Sequence, residues 1–160
     1  MKEVATIGYE AATVRTFLKA LTEHRIELLV DVRAVASSRR PGFAKSALAA
    51  NLTGAGIEYL HLRGLGTPAE GRAAARAGRH AEMRKIFEGH LATASAQAEL
   101  EALAEIVRSG RRVCLLCLEA DPTHCHRSIV ATALASAVPL RVVHLAPAGS
   151  QALSDHQDPT

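Results

Sequence analysis

Five short, nearly unbroken apolar runs recur along the chain, and the segments between them carry apolar residues at helical spacing. The runs are EVATIG (3–8), IELLVDV (26–32), IEYLHL (57–62), RRVCLLCL (111–118) and LRVVHL (140–145). Continuous apolar runs, rather than alternating ones, belong to strands buried on both faces. Between the first two runs, Val14, Phe17, Leu18 and Leu21 share one helical face, with Thr13 placed to cap it. AKSALAANLTGAG reads as a short helix closed by Gly54 and Gly56. The stretch from Arg72 to Ser109 reads as helix in two or more pieces, stopped by Gly110, and HCHRSIVATALASA as a last helix. Strand and helix alternate, which predicts an α/β fold: a mainly parallel sheet flanked by helices on both faces, a Rossmann-like three-layer sandwich.

A chain of 160 residues is long enough to bury one core. Residues 1–146 are expected to form a single domain, and 147–160 a polar, partly disordered tail. Aromatics make up only 3% and Trp is absent, so Ala, Leu and Val must fill the interior. Three cysteines do not make a secreted disulfide framework, and Cys114, inside VCLLCL, reads as a small core residue. IVATALASAV is too short to span a bilayer, and MKEVATIG reads as strand rather than signal peptide. A cytoplasmic protein without a membrane partner is the expectation. A net charge of +3 tolerates an anionic partner without demanding one.

In parallel sheets ligands sit beyond the carboxyl ends of the strands. Here those ends are polar: Tyr9–Glu10, Asp31–Arg33, His61–Arg63, Cys117–Glu119 and His144. The densest is LLCLEADPTHCHRSIVA (115–131). With Asp121 or Thr123 as cap, Cys125, His126 and Arg127 fall in the opening turn of a helix, where free amides favour an anion and a thiolate. Cys117 and Glu119 share a face if the strand continues that far. A structural reading competes, in which Cys125 is buried and Arg127 pairs with Asp31 or Glu119; the functional one is preferred. The segment resembles the nucleophile loops of sulfurtransferases and cysteine phosphatases, and LVDVR is similar to a rhodanese-like arrangement. However, LEADPTHCH lacks the Gly that a cradle of successive amides needs.

Zinc-type ligands are present in Cys117, Cys125, His126 and either His124 or His144. Seven residues separate the two cysteines, and Cys125 directly precedes His126, so no metal is expected. A reversible Cys117–Cys125 disulfide would need Cα atoms roughly 4.4–6.8 Å apart. In DVRAVASSRRPGF, Arg33 and Arg39, with Ser37 and Ser38, suit phosphate or carboxylate capture. Arg40 reads as solvated. Tyr9 and Phe43 sit at loop positions from which they could stack on a ring, while Tyr59, inside a strand, reads as core. The basic stretch 63–85 includes Arg72 and Arg76 and reads first as a solvated helix, second as a nucleic-acid contact.

TIGYE, LVDVR, SSRRPGF, GIEYLHLRGLGTP, LLCLEADPTHCHRS and VVHL stand in one order and spacing. In these motifs, over residues 3–146, the chain resembles the domain of unknown function 488 family, in its TIGYE / DVR / SRRPGF / LLCLE…CHR subgroup. Ala11 stands where that subgroup often carries Gly. The resemblance implies a compact α/β domain with signature residues at Arg33, Arg39, Phe43, Tyr59, Gly66, Cys117, Glu119, Cys125, His126 and Arg127. It carries no reaction with it.

The expected function is an enzyme acting on an anionic, phosphate-bearing or nucleotide-like substrate. Cys117 or Cys125 would be the thiol, Glu119 the acid–base group and His126 an orienting or proton-transfer group. Tyr9, Arg33, Ser38, Arg39, Phe43, Tyr59 and Arg127 would bind the substrate. The alternatives are a non-catalytic nucleotide or nucleic-acid module and a rhodanese- or phosphatase-like thiol enzyme. The residues name no cofactor. A bound anion is expected to offset Arg127, so that Arg127→Ala spares stability.

Overall fold

The structure, a computed structural model, describes residues 2–147; the expected tail from residue 148 onward lies outside the described residues. Strands β1 (Lys2–Gly8), β2 (Leu28–Asp31), β3 (Glu58–His61), β4 (Val113–Cys117) and β5 (Leu140–Leu145) form one sheet in the order β3-β2-β4-β1-β5. Every pairing is parallel. The helices are α1 (Val14–Glu23), α2 (Lys45–Gly54), α3 (Ala69–Arg76), α4 (His80–Leu91), α5 (Ala94–Arg108) and α6 (His126–Ala137). The α/β sandwich expected from the alternating runs is what forms.

Side chains leave each strand on alternate faces, and here both faces are apolar. Val4, Leu28, Val30, Val113, Leu115 and Cys117 pack with residues from α3 to α6. Ala5, Ile7, Leu29, Cys114 and Leu116 pack against Phe17 and Leu21 of α1 and Leu48 and Leu52 of α2. This is why the strands read as unbroken apolar runs. Cys114 is fully buried and free, with burial pushing its thiol up. Thr13 caps α1 in a capping box with Thr16. The helical stretch before β4 divides into three: Gly78, at φ 79°, follows the end of α3, and the Thr93 hydroxyl accepts from the Ala96 amide to start α5. Among the described residues no helix is long and apolar enough to cross a membrane.

One topological feature positions the site. From the ends of β1 and β2 the chain leaves to the α1/α2 face, while from β4, which lies between them, it leaves to α6 on the opposite face. Loops diverging from neighbouring strands open a crevice at their carboxyl ends.

Candidate functional site

The segment after β4 first stays paired with the end of β1. The Tyr9 amide donates to Cys117 O at 3.3 Å and the Glu10 amide to Leu118 O at 2.8 Å, while the Ala120 amide donates to Glu10 Oε1 at 3.1 Å. Gly8 permits this approach, since a Cβ there would collide with the Glu119 carbonyl. Asp121 then caps a single 3-10 turn, Pro122–His124, and not α6 as expected. Cys125 itself is the cap of α6, its Sγ accepting from the Arg127 amide at 3.5 Å. The thiol therefore sits just outside the first turn, with His126 and Arg127 inside it.

The sulfurs of Cys117 and Cys125 meet in a disulfide, with Cα atoms 7.2 Å apart, just beyond the window set above. Glu119 Oε1 lies 3.3 Å from Cys117 Sγ. Burial raises the Glu119 carboxyl above its ordinary range, with Glu10 adding to the rise and Arg127 opposing it. His126 Nε2 lies 2.6 Å from the Val32 carbonyl, and a carbonyl only accepts, so Nε2 carries the hydrogen. Its Nδ1 is then a lone pair, 3.9 Å from Cys125 Sγ. Burial lowers His126 to about 4, so the ring is neutral near pH 7.

Arg33 belongs to a buried polar cluster. Its guanidinium grips Asp31 at both oxygens, 2.9 and 2.7 Å, and donates to Tyr9 Oη at 3.2 Å and Phe43 O at 2.8 Å. Tyr59 donates to the same carboxylate at 2.6 Å. Burial alone would lower Arg33, but the bonds and charge of Asp31 outweigh it and hold the cation firmly. Burial, then the bond to Asp31, raises the Tyr59 phenol. The cluster ties the loop after β2 to β1 and β3.

One cleft runs over these groups. It is lined by Tyr9, Arg33 to Val35, Ser37, Cys117 to Glu119, His124 and His126, and on its far side by Thr67, Arg72, Ala75, Arg76 and Met83. The far side is brought close by Gly66, where a Cβ would run into the backbone of Ala34.

A family model described as "Domain of unknown function DUF488" matches residues 13–134, most of the chain. The chain belongs to this family. Its model stops short of TIGYE and VVHL, two of the six motifs. No curated protein and no solved structure matches the chain.

In this DUF488 domain, Tyr9, Arg33, Cys117, Glu119 and His126 meet in the cleft, whereas Cys125, Ser38, Arg39, Phe43, Tyr59 and Arg127 do not line it. Phe43 is buried, stacked on Tyr9 with ring centres 4.7 Å apart and edge-on to Phe17, so neither Tyr9 nor Phe43 offers a free stacking face as expected. Ser38 accepts from the Arg40 amide and Arg39 points to solvent. Arg40 is not simply solvated either, because it donates to the Ala12 carbonyl.

Arg127 is fully buried, and among the described residues it has no ion pair with a carboxylate. It donates to the carbonyls of Glu119 and, at 3.2 Å, Ala120, and through Nε to Thr6 Oγ1 at 3.0 Å. It is a brace for the loop, and burial lowers it to about 10.

Arg72 and Arg76 are cleft residues that the sequence reading assigned to a solvated helix. They lie one turn apart on α3, and neither has an ion pair among the described residues. The available signal was their spacing of four in GRAAAR. His124, stacked on His80 at 4.1 Å, completes the rim. Cys117, Cys125 and His126 set three ligand-type atoms within 4.8 Å of one another. In the disulfide state neither sulfur is the thiolate that binds a metal; only after reduction could the three residues hold one.

Two outcomes follow. Arg127→Ala strips partners from two loop carbonyls and is expected to cost about 3 kcal/mol, a fall of about 10 °C in melting temperature; a melt unchanged from wild type contradicts the bracing role. His126 is neutral in the fold and protonates more readily once unfolded, so its contribution is complete above about pH 6.5 and is lost as pH falls toward 4. His126→Gln keeps a donor for Val32 O and removes the titration. Denaturant titrations between pH 7 and 4 are expected to show wild type losing more stability than the variant, by up to about 3 kcal/mol; parallel curves contradict this.

Proposed function

We propose that this protein, a member of the motif subgroup named above, is a cytoplasmic enzyme acting on an anionic, phosphate-bearing or nucleotide-like small molecule. The cleft at the carboxyl ends of β1, β2 and β4 is its active site. Reduced Cys117 is the reacting thiol, Glu119 handles the proton, and Arg72 and Arg76 receive the anion. His126 orients the α6 end of the site through its bond to Val32 O.

One observation carries this reading. A sulfur, a carboxyl raised by burial and two arginines without ion pairs among the described residues line a single cleft. Groups with shifted proton affinity gather where chemistry is done, and guanidinium groups free of carboxylates fit oxyanions. Arg33 contributes by holding Tyr9 and the loop after β2 in place rather than by gripping the anion. A nucleic-acid or nucleotide module without catalysis would use the same arginines but have no need of the thiol.

Calorimetric titration of reduced protein with adenosine monophosphate and with inorganic phosphate tests the site. Arg72→Ala or Arg76→Ala is expected to weaken binding by about tenfold or more, the ~1.5–3 kcal/mol of a charged hydrogen bond. Turnover of a panel of phosphate esters should vanish in Cys117→Ser. Unchanged affinity in both arginine variants refutes the anion site. Salt-dependent binding of DNA that Cys117→Ser leaves untouched, with no turnover, favours the module.

A further inference from the structure

The two joined sulfurs are not equivalent. Cys117, at the end of β4, forms part of the cleft floor, 3.3 Å from the Glu119 carboxyl. Both residues are buried, but Cys125 is absent from the cleft lining. Its neighbours are the Arg127 amide, the second of α6, and His126 Nδ1. A thiol at a helix start is favoured as thiolate. Of the two joined residues, Cys117 borders the cleft and Cys125 does not.

We propose that the reaction of this site is thiol–disulfide exchange, with Cys117 the attacking thiol, Cys125 the resolving thiol, and a small disulfide bearing carboxylate or phosphate groups as substrate. The charge of that substrate rests on the anionic-cleft reading above; the roles of the two cysteines do not.

The chemistry balances without a further group. Cys117 attacks one sulfur of the substrate RS–SR, and the substrate S–S bond breaks. The Cys117 proton passes to Glu119, whose Oε1 lies 3.3 Å away, and from that carboxyl to the departing thiolate. A mixed disulfide on Cys117 and one RSH result. Cys125 then loses its proton to solvent and attacks Cys117 Sγ. The Cys117–SR bond breaks, and the second thiolate leaves and takes up a proton from solvent. Protein dithiol and RS–SR become protein disulfide and two RSH, a transfer of two electrons to the substrate. The product is the Cys117–Cys125 disulfide of the structure. A small dithiol is the class of reductant that resets it.

The test uses reduced full-length protein with oxidised glutathione as an anionic disulfide and cystamine as a cationic one, read by intact mass and released thiol. Wild type is expected to release two thiols per chain and end as the internal disulfide. Cys125→Ser should stop at a glutathione adduct on Cys117, and Cys117→Ser should form none. Cys125→Ala, and acid quenching of wild type part-way through the reaction, serve the same arm should the serine variant fold poorly. An adduct on Cys125 in Cys117→Ser at the wild-type rate, or no trapped adduct in any of these, overturns the proposal. Oxidised glutathione should react about tenfold faster than cystamine, and Arg72→Ala with Arg76→Ala should erase the difference. Equal rates for the two disulfides with the adduct still trapped would sink the anionic-cleft reading alone. Arginine-dependent binding of adenosine monophosphate with no adduct would sink the exchange alone.

Discussion

The geometry of the site depends on a buried guanidinium. Arg127 carries a charge into an interior where, among the described residues, no carboxylate pairs with it, and it is tolerated because the carbonyls of Glu119 and Ala120 and the hydroxyl of Thr6 surround it. A buried cation without such partners would cost several kcal/mol. The dependence runs both ways, because those carbonyls belong to the loop that carries Glu119 and leads to Cys125. Thr6, inside β1, accepts from Arg127 and is hydrogen-bonded to His144 Nδ1 at 2.6 Å, which extends the brace across to β5. A helix-start arginine, poorly placed for the α6 dipole, thereby becomes the anchor of the loop.

A second arginine does similar work on the other side of the cleft. Arg33 and Asp31 sit two residues apart at the end of β2, and their bidentate contact fixes Tyr9, Tyr59 and the backbone at Phe43 around them. The cleft is therefore a gap between two rigid polar clusters, with sulfur at its floor. Preorganisation of this kind lets a reacting group work without rearrangement. The arginines left over for a ligand, Arg72 and Arg76, lie on α3, outside both clusters.

Much of the fold was legible because both faces of the sheet are covered. Strands such as Leu28–Asp31 and Val113–Cys117 have no polar side, so each shows as an apolar run, and Thr13 marked the start of α1. The gathering of Tyr9, Arg33, Cys117, Glu119 and His126 was legible from topology, since each follows or ends a parallel strand or opens the helix after one. The direction in which each arginine faces was not legible. Arg33, Arg39 and Arg127 are one residue type in polar segments, and only tertiary contacts separate a strut from a solvated side chain. Asp31, two residues before Arg33, was the local sign of pairing. Phe43 follows Pro-Gly and reads as loop, yet the loop folds back and buries it against Tyr9 and Phe17. Arg72 and Arg76 look like any exposed helical pair until Gly66 lets the preceding loop close on Ala34 and sets α3 over the cleft.

The central claim is that thiol and anion share one cleft. The most direct measurement is the rate at which iodoacetamide alkylates Cys117 in the reduced protein, followed by peptide mass, with and without saturating adenosine monophosphate. The account predicts that the nucleotide slows alkylation of Cys117 severalfold in wild type and has no effect once both Arg72 and Arg76 are alanine. Alkylation of Cys117 at the same rate with and without bound nucleotide would contradict it.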